Sequence, residues 1–252
     1  MDLSSFSSIK RAAAYIRSKT KDLNVLIGNA GVRCVPFERT EDRFETHLGV
    51  NHLSHFLLFQ GLKPLMIQGA KSSGNLSRVV LVSSADHDRF ETWFDDWNFE
   101  KSEYNPIFAY EQSKTANIYM ANTLARLYAE KGITALSLDP GAIMETDMWR
   151  FLPEEALQSL RDNNTDFLQM NSVDQGVAPT VWAAVSSYFE DVSHGGRYLA
   201  DVGECAPMNV GDQFTFGASG CTDHTYDEVK ADRLWDPSCE AVGLPCGPNN
   251  LD

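Results

Sequence analysis

Basic residues are scarce in this sequence. Lys and Arg number 21 against 35 Asp and Glu, a net charge of −14 over 252 residues. So acidic a surface argues against nucleic acid or an anionic membrane as partner. No run of about 18 consecutive apolar residues occurs, so no membrane span is expected. The opening Met1-Asp2-Leu3-Ser4-Ser5 is polar and lacks the shape of a signal peptide, which makes the cytoplasm the expected location. Cysteine is sparse too. The five residues Cys34, Cys205, Cys221, Cys239 and Cys246 include no CxxC pair, so zinc is not indicated and reduced thiols are expected. Neither an internal repeat nor a linker is visible. One domain is therefore expected over 1–252, with a core at 1–201 and a loop-rich extension at 202–252 holding one short helix near Tyr226–Trp235.

Apolar residues make up 43% of the chain, enough for a substantial core. Their pattern alternates short runs with longer amphipathic stretches. Ile9–Ile16 reads as a helix. Leu23–Gly28 reads as a buried strand that turns at Asn29-Ala30-Gly31. Glu41 to about Ile67 has helical spacing. Arg78–Ser84 is a continuous aliphatic run suited to a parallel strand covered on both faces. A long helix is expected from Pro106 to about Glu130, and a strand at Thr134–Leu138. Ser172-Val173-Asp174-Gln175 has the form of a capping box opening a further helix. Gly196–Ala200 reads as a last short strand. This alternation predicts an α/β fold, a Rossmann-like parallel sheet with helices on both faces.

The chemistry concentrates in Tyr110-Glu111-Gln112-Ser113-Lys114. Tyr and Lys four apart share one helix face. An ammonium near a phenol favours phenolate and lowers the tyrosine pKa towards neutrality, which suits acid/base work on alcohols and carbonyls. The pair alone recurs by chance on ordinary helix faces. Its context makes it specific: Ser83-Ser84 ends a predicted strand, Asn51 sits on the preceding helix, and Pro140-Gly141 ends the following strand. Each lies where an open α/β sheet places its ligands. His52 and His55 also share a helix face, but the same pattern accounts for both without a metal.

With Asn29-Ala30-Gly31, Val50–Phe56, Val82-Ser83-Ser84, Tyr110–Lys114 and Pro140-Gly141 in this order, the chain resembles the short-chain dehydrogenase/reductase family from about Asp2 to Asp201. Phe94-Asp95-Asp96-Trp97-Asn98-Phe99 and Ser113–Ile118 resemble its retinol-dehydrogenase-like and WW-domain-oxidoreductase-like branch. The resemblance implies an NAD(P)-dependent oxidoreductase that interconverts an alcohol and a carbonyl on a small organic or lipophilic molecule, with NADP favoured over NAD. Tyr110 would be the proton donor or acceptor. Lys114 would lower its pKa and bind the nicotinamide ribose. Ser84 would orient the substrate oxygen, and Asn51 would hold a relay water. Asn29, Ala30 and Gly31 would line the adenosine side, Asp2 the adenine edge, and Pro140-Gly141 the nicotinamide.

Against the family pattern, the TGxxxGxG turn is missing. An N-terminally truncated sheet without strands 1 to 3 is therefore expected, with weak dinucleotide binding. Leu23–Gly28 would then form an exposed edge able to recruit a second copy into a homo-oligomer. Glu145 stands where the family usually has Thr or Ser, and Thr146 would substitute. Asp139 replaces a frequent histidine. These departures leave two alternatives open: a non-redox isomerase, dehydratase or cyclase reusing Tyr110, Lys114 and Ser84, or a cofactor-free homologue that serves as a binding partner.

Overall fold

The structure is a computed structural model describing residues 1–88, 95–155, 157–158, 170–207 and 220–245. Of the aromatic insertion, Phe94 lies outside the described residues, as does Cys246.

The elements alternate as the apolar pattern predicts. Helix α1 (Phe6–Lys19) leads to β1 (Val25–Gly28), then α2 (Ser54–Ser73) to β2 (Ser77–Val82) and α3 (Pro106–Tyr128) to β3 (Ile133–Asp139). Helix α4 (Val173–Val185) follows, then β4 (Tyr198–Ala200), β5 (Gly203–Glu204) and α5 (Glu228–Ala241). The sheet order is β1-β2-β3-β4-β5. The first four strands run parallel, and β5 turns back antiparallel on β4. Among the described strands, β1 ends the sheet.

Every residue of β2 and β3 is buried, because helices cover both faces. Alternation sorts the side chains. Val79, Leu81, Ile133 and Ala135 face the core shared with α1, α2 and α3. Val80, Val82, Leu136 and Leu138 face Ala183 of α4 and Phe189.

Local signals set the helix starts. Asn105 accepts the N–H groups of Ile107 and Phe108 ahead of α3, with Pro106 in its first turn. The capping box predicted at Ser172 and Gln175 opens α4 with both reciprocal bonds present.

Three expectations are corrected. The helix expected from Glu41 begins instead as a π-helical turn at Leu48–Leu53, and the regular helix starts at Ser54. The short helix of the extension is the 14-residue α5, whose Trp235 packs on Phe56 at 5.0 Å between ring centroids. Cys34, Cys205 and Cys221 are free thiols, but Cys239 is disulfide-bonded; spacing along the chain does not decide which thiols a fold brings together. Among the described residues, no helix is long and apolar enough to cross a membrane.

Candidate active site

Parallel strands deliver their C-terminal loops to one end of the sheet, and there the chain encloses a cavity of about 610 Å³. Asn29, Ala30 and Gly31 reach it from β1, and Ser83 to Asp86 from β2. Asp139 to Ile143 and Thr146 to Arg150 follow β3, while Tyr110 and Lys114 project from α3. Nine of the predicted site residues thus meet on one cavity: Asn29, Ala30, Gly31, Ser84, Tyr110, Lys114, Pro140, Gly141 and Thr146.

Two do not line it. Asp2 lies at the surface, where its carboxylate accepts Ser4 N–H at 2.9 Å and Ser4 Oγ–H at 2.8 Å. These bonds hold its pKa below the usual carboxylate value. Asn51 is fully buried. Its amide donates to Val32 O at 3.0 Å and Ser113 Oγ at 2.9 Å, and its Oδ1 accepts Val32 N–H at 2.8 Å. Its own carbonyl accepts from His55 Nδ1 at 2.8 Å. With these atoms already engaged, Asn51 staples the loop after β1 to α3. A Cβ on Gly31 would stand 2.9 Å from Asn51 Oδ1 and 3.6 Å from Lys114 Nζ, so glycine keeps the space before the lysine open.

Tyr110 is 5% exposed and lines the same cavity as Ser84. Both groups can therefore reach one substrate oxygen. Ser84 Oγ also accepts Asp86 N–H at 3.2 Å.

The electrostatics differ from the sequence expectation. Burial pushes the Tyr110 phenol up, assisted by Asp86 and Asp139; Arg33 and the Ser84 hydroxyl oppose it. Lys114 donates to Val82 O at 2.9 Å and lies 5.6 Å from the Tyr110 ring centroid. Burial lowers Lys114 itself to about 8, against the pull of Asp139. Desolvation outweighs the expected lysine effect in this pair.

The cation acting on the tyrosine is Arg33, which sequence reasoning missed. Its guanidinium stands 5.2 Å from the Tyr110 centroid and 4.8 Å from that of Trp149. Asp86 holds it at 2.9 Å. Trp149 Nε1 in turn donates to Ile143 O at 2.8 Å. Nothing in the spacing of these residues marks them, because three separate loops bring them together. Thr146 lines the cavity with its Oγ1 bonded to Ile143 O at 3.0 Å. Glu145 is exposed.

The donor set suits the nicotinamide-riboside end of a dinucleotide: a lysine and a phenol for ribose hydroxyls beside the Pro140-Gly141 wall. A parallel α/β sheet with Ser, Tyr and Lys gathered at its strand ends defines an oxidoreductase of the short-chain type, and comparison with known proteins agrees. A family model described as short chain dehydrogenase matches residues 1–93. The short-chain dehydrogenase/reductase prx1 of Penicillium roqueforti is 36% identical over 244 residues, covering 97% of this chain and 69% of that protein. Human retinol dehydrogenase 13 is 33% identical over 246 residues, covering 97% and 68%. A crystal structure of a Mycobacterium paratuberculosis protein superimposes with a TM-score of 0.68 at 28% identity, covering 98% of this chain and 76% of that one. The chain belongs to the short-chain dehydrogenase/reductase family, in its retinol-dehydrogenase-like branch.

Proposed function

We propose that this site interconverts an alcohol and a carbonyl on a lipophilic molecule, with NADP(H) favoured as the hydride partner. The convergence of Tyr110, Ser84 and Lys114 on one cavity carries this reading. Ser84 orients the substrate oxygen. Tyr110 gives a proton to that oxygen in reduction and takes it in oxidation. Lys114 is placed to bind ribose hydroxyls, while Asn29, Ala30, Gly31, Pro140, Gly141 and Thr146 shape the surrounding walls. The dinucleotide, when bound, supplies or accepts the hydride. Asn51 fixes the loop that presents Gly31. Val82, Ala85, Ile143, Met148 and Trp149 line the cavity and favour an apolar substrate body. The name of retinol dehydrogenase 13 points to the same class of alcohol.

The test is turnover of a panel of medium- and long-chain alcohols and aldehydes, all-trans-retinal included, with NADPH or NADH. Tyr110→Phe should lower kcat at least about 100-fold, the scale of lost acid/base catalysis. Full activity in that variant would overturn the assignment.

A further inference from the structure

The C-terminal extension reaches back to the serine of the site. Between β5 and α5, Asp223–Tyr226 forms a 3₁₀ turn. Two bonds fix this turn on the body of the domain. Asn122 Nδ2 of α3 donates to Thr225 O at 2.7 Å, and Tyr198 N–H of β4 donates to Tyr226 Oη at 3.2 Å. The turn so held meets His87, which belongs to the 3₁₀ turn Ala85–Asp88 that follows Ser84. His87 and Thr225 are both fully buried.

A buried imidazole needs a partner for each nitrogen. His87 Nδ1 lies 2.9 Å from Ser84 O. A carbonyl only accepts, so Nδ1 carries the proton. Burial lowers the pKa of the ring to about 4, so at neutral pH Nε2 has no proton and accepts. Its donor is Thr225 Oγ1 at 3.1 Å. That hydroxyl accepts Thr222 N–H at 2.9 Å, which leaves its own proton for the ring; Thr222 Oγ1 stands farther off at 3.3 Å. His224 adds a second tie. Its Nε2 donates to His87 O at 3.0 Å, and its Nδ1 accepts from Thr222 Oγ1 at 3.0 Å. Donors and acceptors therefore run in one sense from the extension to the serine: Thr225 hydroxyl to His87 Nε2, then His87 Nδ1 to Ser84 O. The His87 backbone N–H closes on the same carbonyl at 3.2 Å.

Building on the oxidoreductase reading, we propose that His87 and Thr225 are positioning residues for Ser84: the relay from the C-terminal extension pins the Ser84 carbonyl and so sets the direction of the serine hydroxyl in the cavity. A peptide group is planar, so holding its oxygen fixes the plane that carries the serine Cα. Ser84 lines the cavity, whereas His87 and Thr225 stand behind it. They act through Ser84 and do not touch substrate.

His87→Asn puts an amide N–H near the place of Nδ1 and keeps the bond to Ser84 O. His87→Gln reaches Thr225 instead and leaves the carbonyl without its side-chain donor. In the full chain, His87→Gln and Thr225→Val should each lower kcat on the order of 10- to 100-fold, the scale of a misplaced reacting group, with KM for NADPH unchanged. His87→Asn and Thr225→Ser should restore most of it. Two readouts need no turnover. Imidazole ¹⁵N shifts should show the His87 proton on Nδ1. The Ser84 carbonyl ¹³C shift should move in His87→Gln and stay near its wild-type place in His87→Asn.

Wild-type kcat in both His87→Gln and Thr225→Val would overturn the proposal, as would a His87 ring protonated on Nε2. So would losses of kcat that simply follow melting temperature across the four variants, because packing alone would then explain them. If the wild type turns over nothing, the redox reading fails, and the ring tautomer and the carbonyl shift still decide whether the relay holds Ser84.

Discussion

The guanidinium of Arg33 lies over the ring of Tyr110, 5.2 Å from its centroid. A cation on a ring face is attracted more strongly as the ring gains electron density, so Arg33 favours phenolate over phenol. It is also the strongest influence opposing the upward push of burial on this tyrosine. Arg33→Met should therefore move the pH midpoint of alcohol oxidation upward by about one unit, equivalent to a tenfold loss below the midpoint. Arg33→Lys should restore part of it. A pH–rate profile with an unmoved midpoint in Arg33→Met would show that Arg33 does no more than brace Trp149.

Acid should unfold this chain through its histidines. Burial lowers His52 to about 3, and His55 and His87 to about 4. Unfolded histidine titrates near ~6.5. Each group's folded pKa is depressed, so its contribution is complete above the unfolded value and is lost as pH falls towards 3–4. In that window the unfolded chain takes up protons that the fold refuses. Asp139, raised to about 6, works the other way and offsets part of the loss. At about 1.4 kcal/mol per pH unit per group, three histidines still dominate one carboxylate. Melting temperature should fall steadily from pH 6.5 to 4.5, and a flat curve would contradict the burial argument.

Much of the site was legible in the chain because its residues announce themselves locally. Tyr110 and Lys114 share a helix face, Ser84 ends an unbroken aliphatic run, and Asn29, Ala30 and Gly31 end another. Such signals depend on neighbours in sequence. Arg33, Asp86 and Trp149 were not legible, because each depends on loops from different strands meeting in space. Asn51 was found, but its bonds to Val32 and Ser113 were not, because they depend on partners from other elements. The β5 hairpin escaped because two residues carry no period.

Gly69 offers a packing test. Alanine is better than glycine in a helix by about 1 kcal/mol. A Cβ at this position of α2 would sit 2.5 Å from Leu23 O and 2.8 Å from Leu23 C, both backbone atoms. Leu23 is itself bonded from its N–H to Leu65 O of the same helix at 3.1 Å, so the segment leading into β1 has little room to retreat. Gly69→Ala should therefore destabilise the fold by about 1–3 kcal/mol despite its propensity gain. Denaturant melts check this, and a stabilised variant would mean that the entry to β1 shifts freely.

The free edge of the sheet should govern the behaviour of the chain at high concentration. Among the described strands, β1 pairs only with β2, so its outer backbone groups are open to another strand. Ile27 pairs with Val80, a residue of the α4-side core, and therefore lies on that face; it is 43% exposed. On α4, Val173, Val177, Val181 and Val185 recur every four residues and are 42%, 48%, 50% and 72% exposed. A valine row along one helix beside a bare strand is a continuous apolar surface of the kind that marks association sites. Covering a few hundred Å² of it would release several kcal/mol at about 25 cal/mol per Å². Sedimentation should show concentration-dependent association of this chain. The double variant Val181→Lys, Val185→Glu places charges on the row, remote from Tyr110 and outside the cavity lining, and should shift the distribution towards monomer without lowering the melting temperature. A wild-type chain that sediments as a single monomer at tens of micromolar would show that neither edge nor row drives self-association.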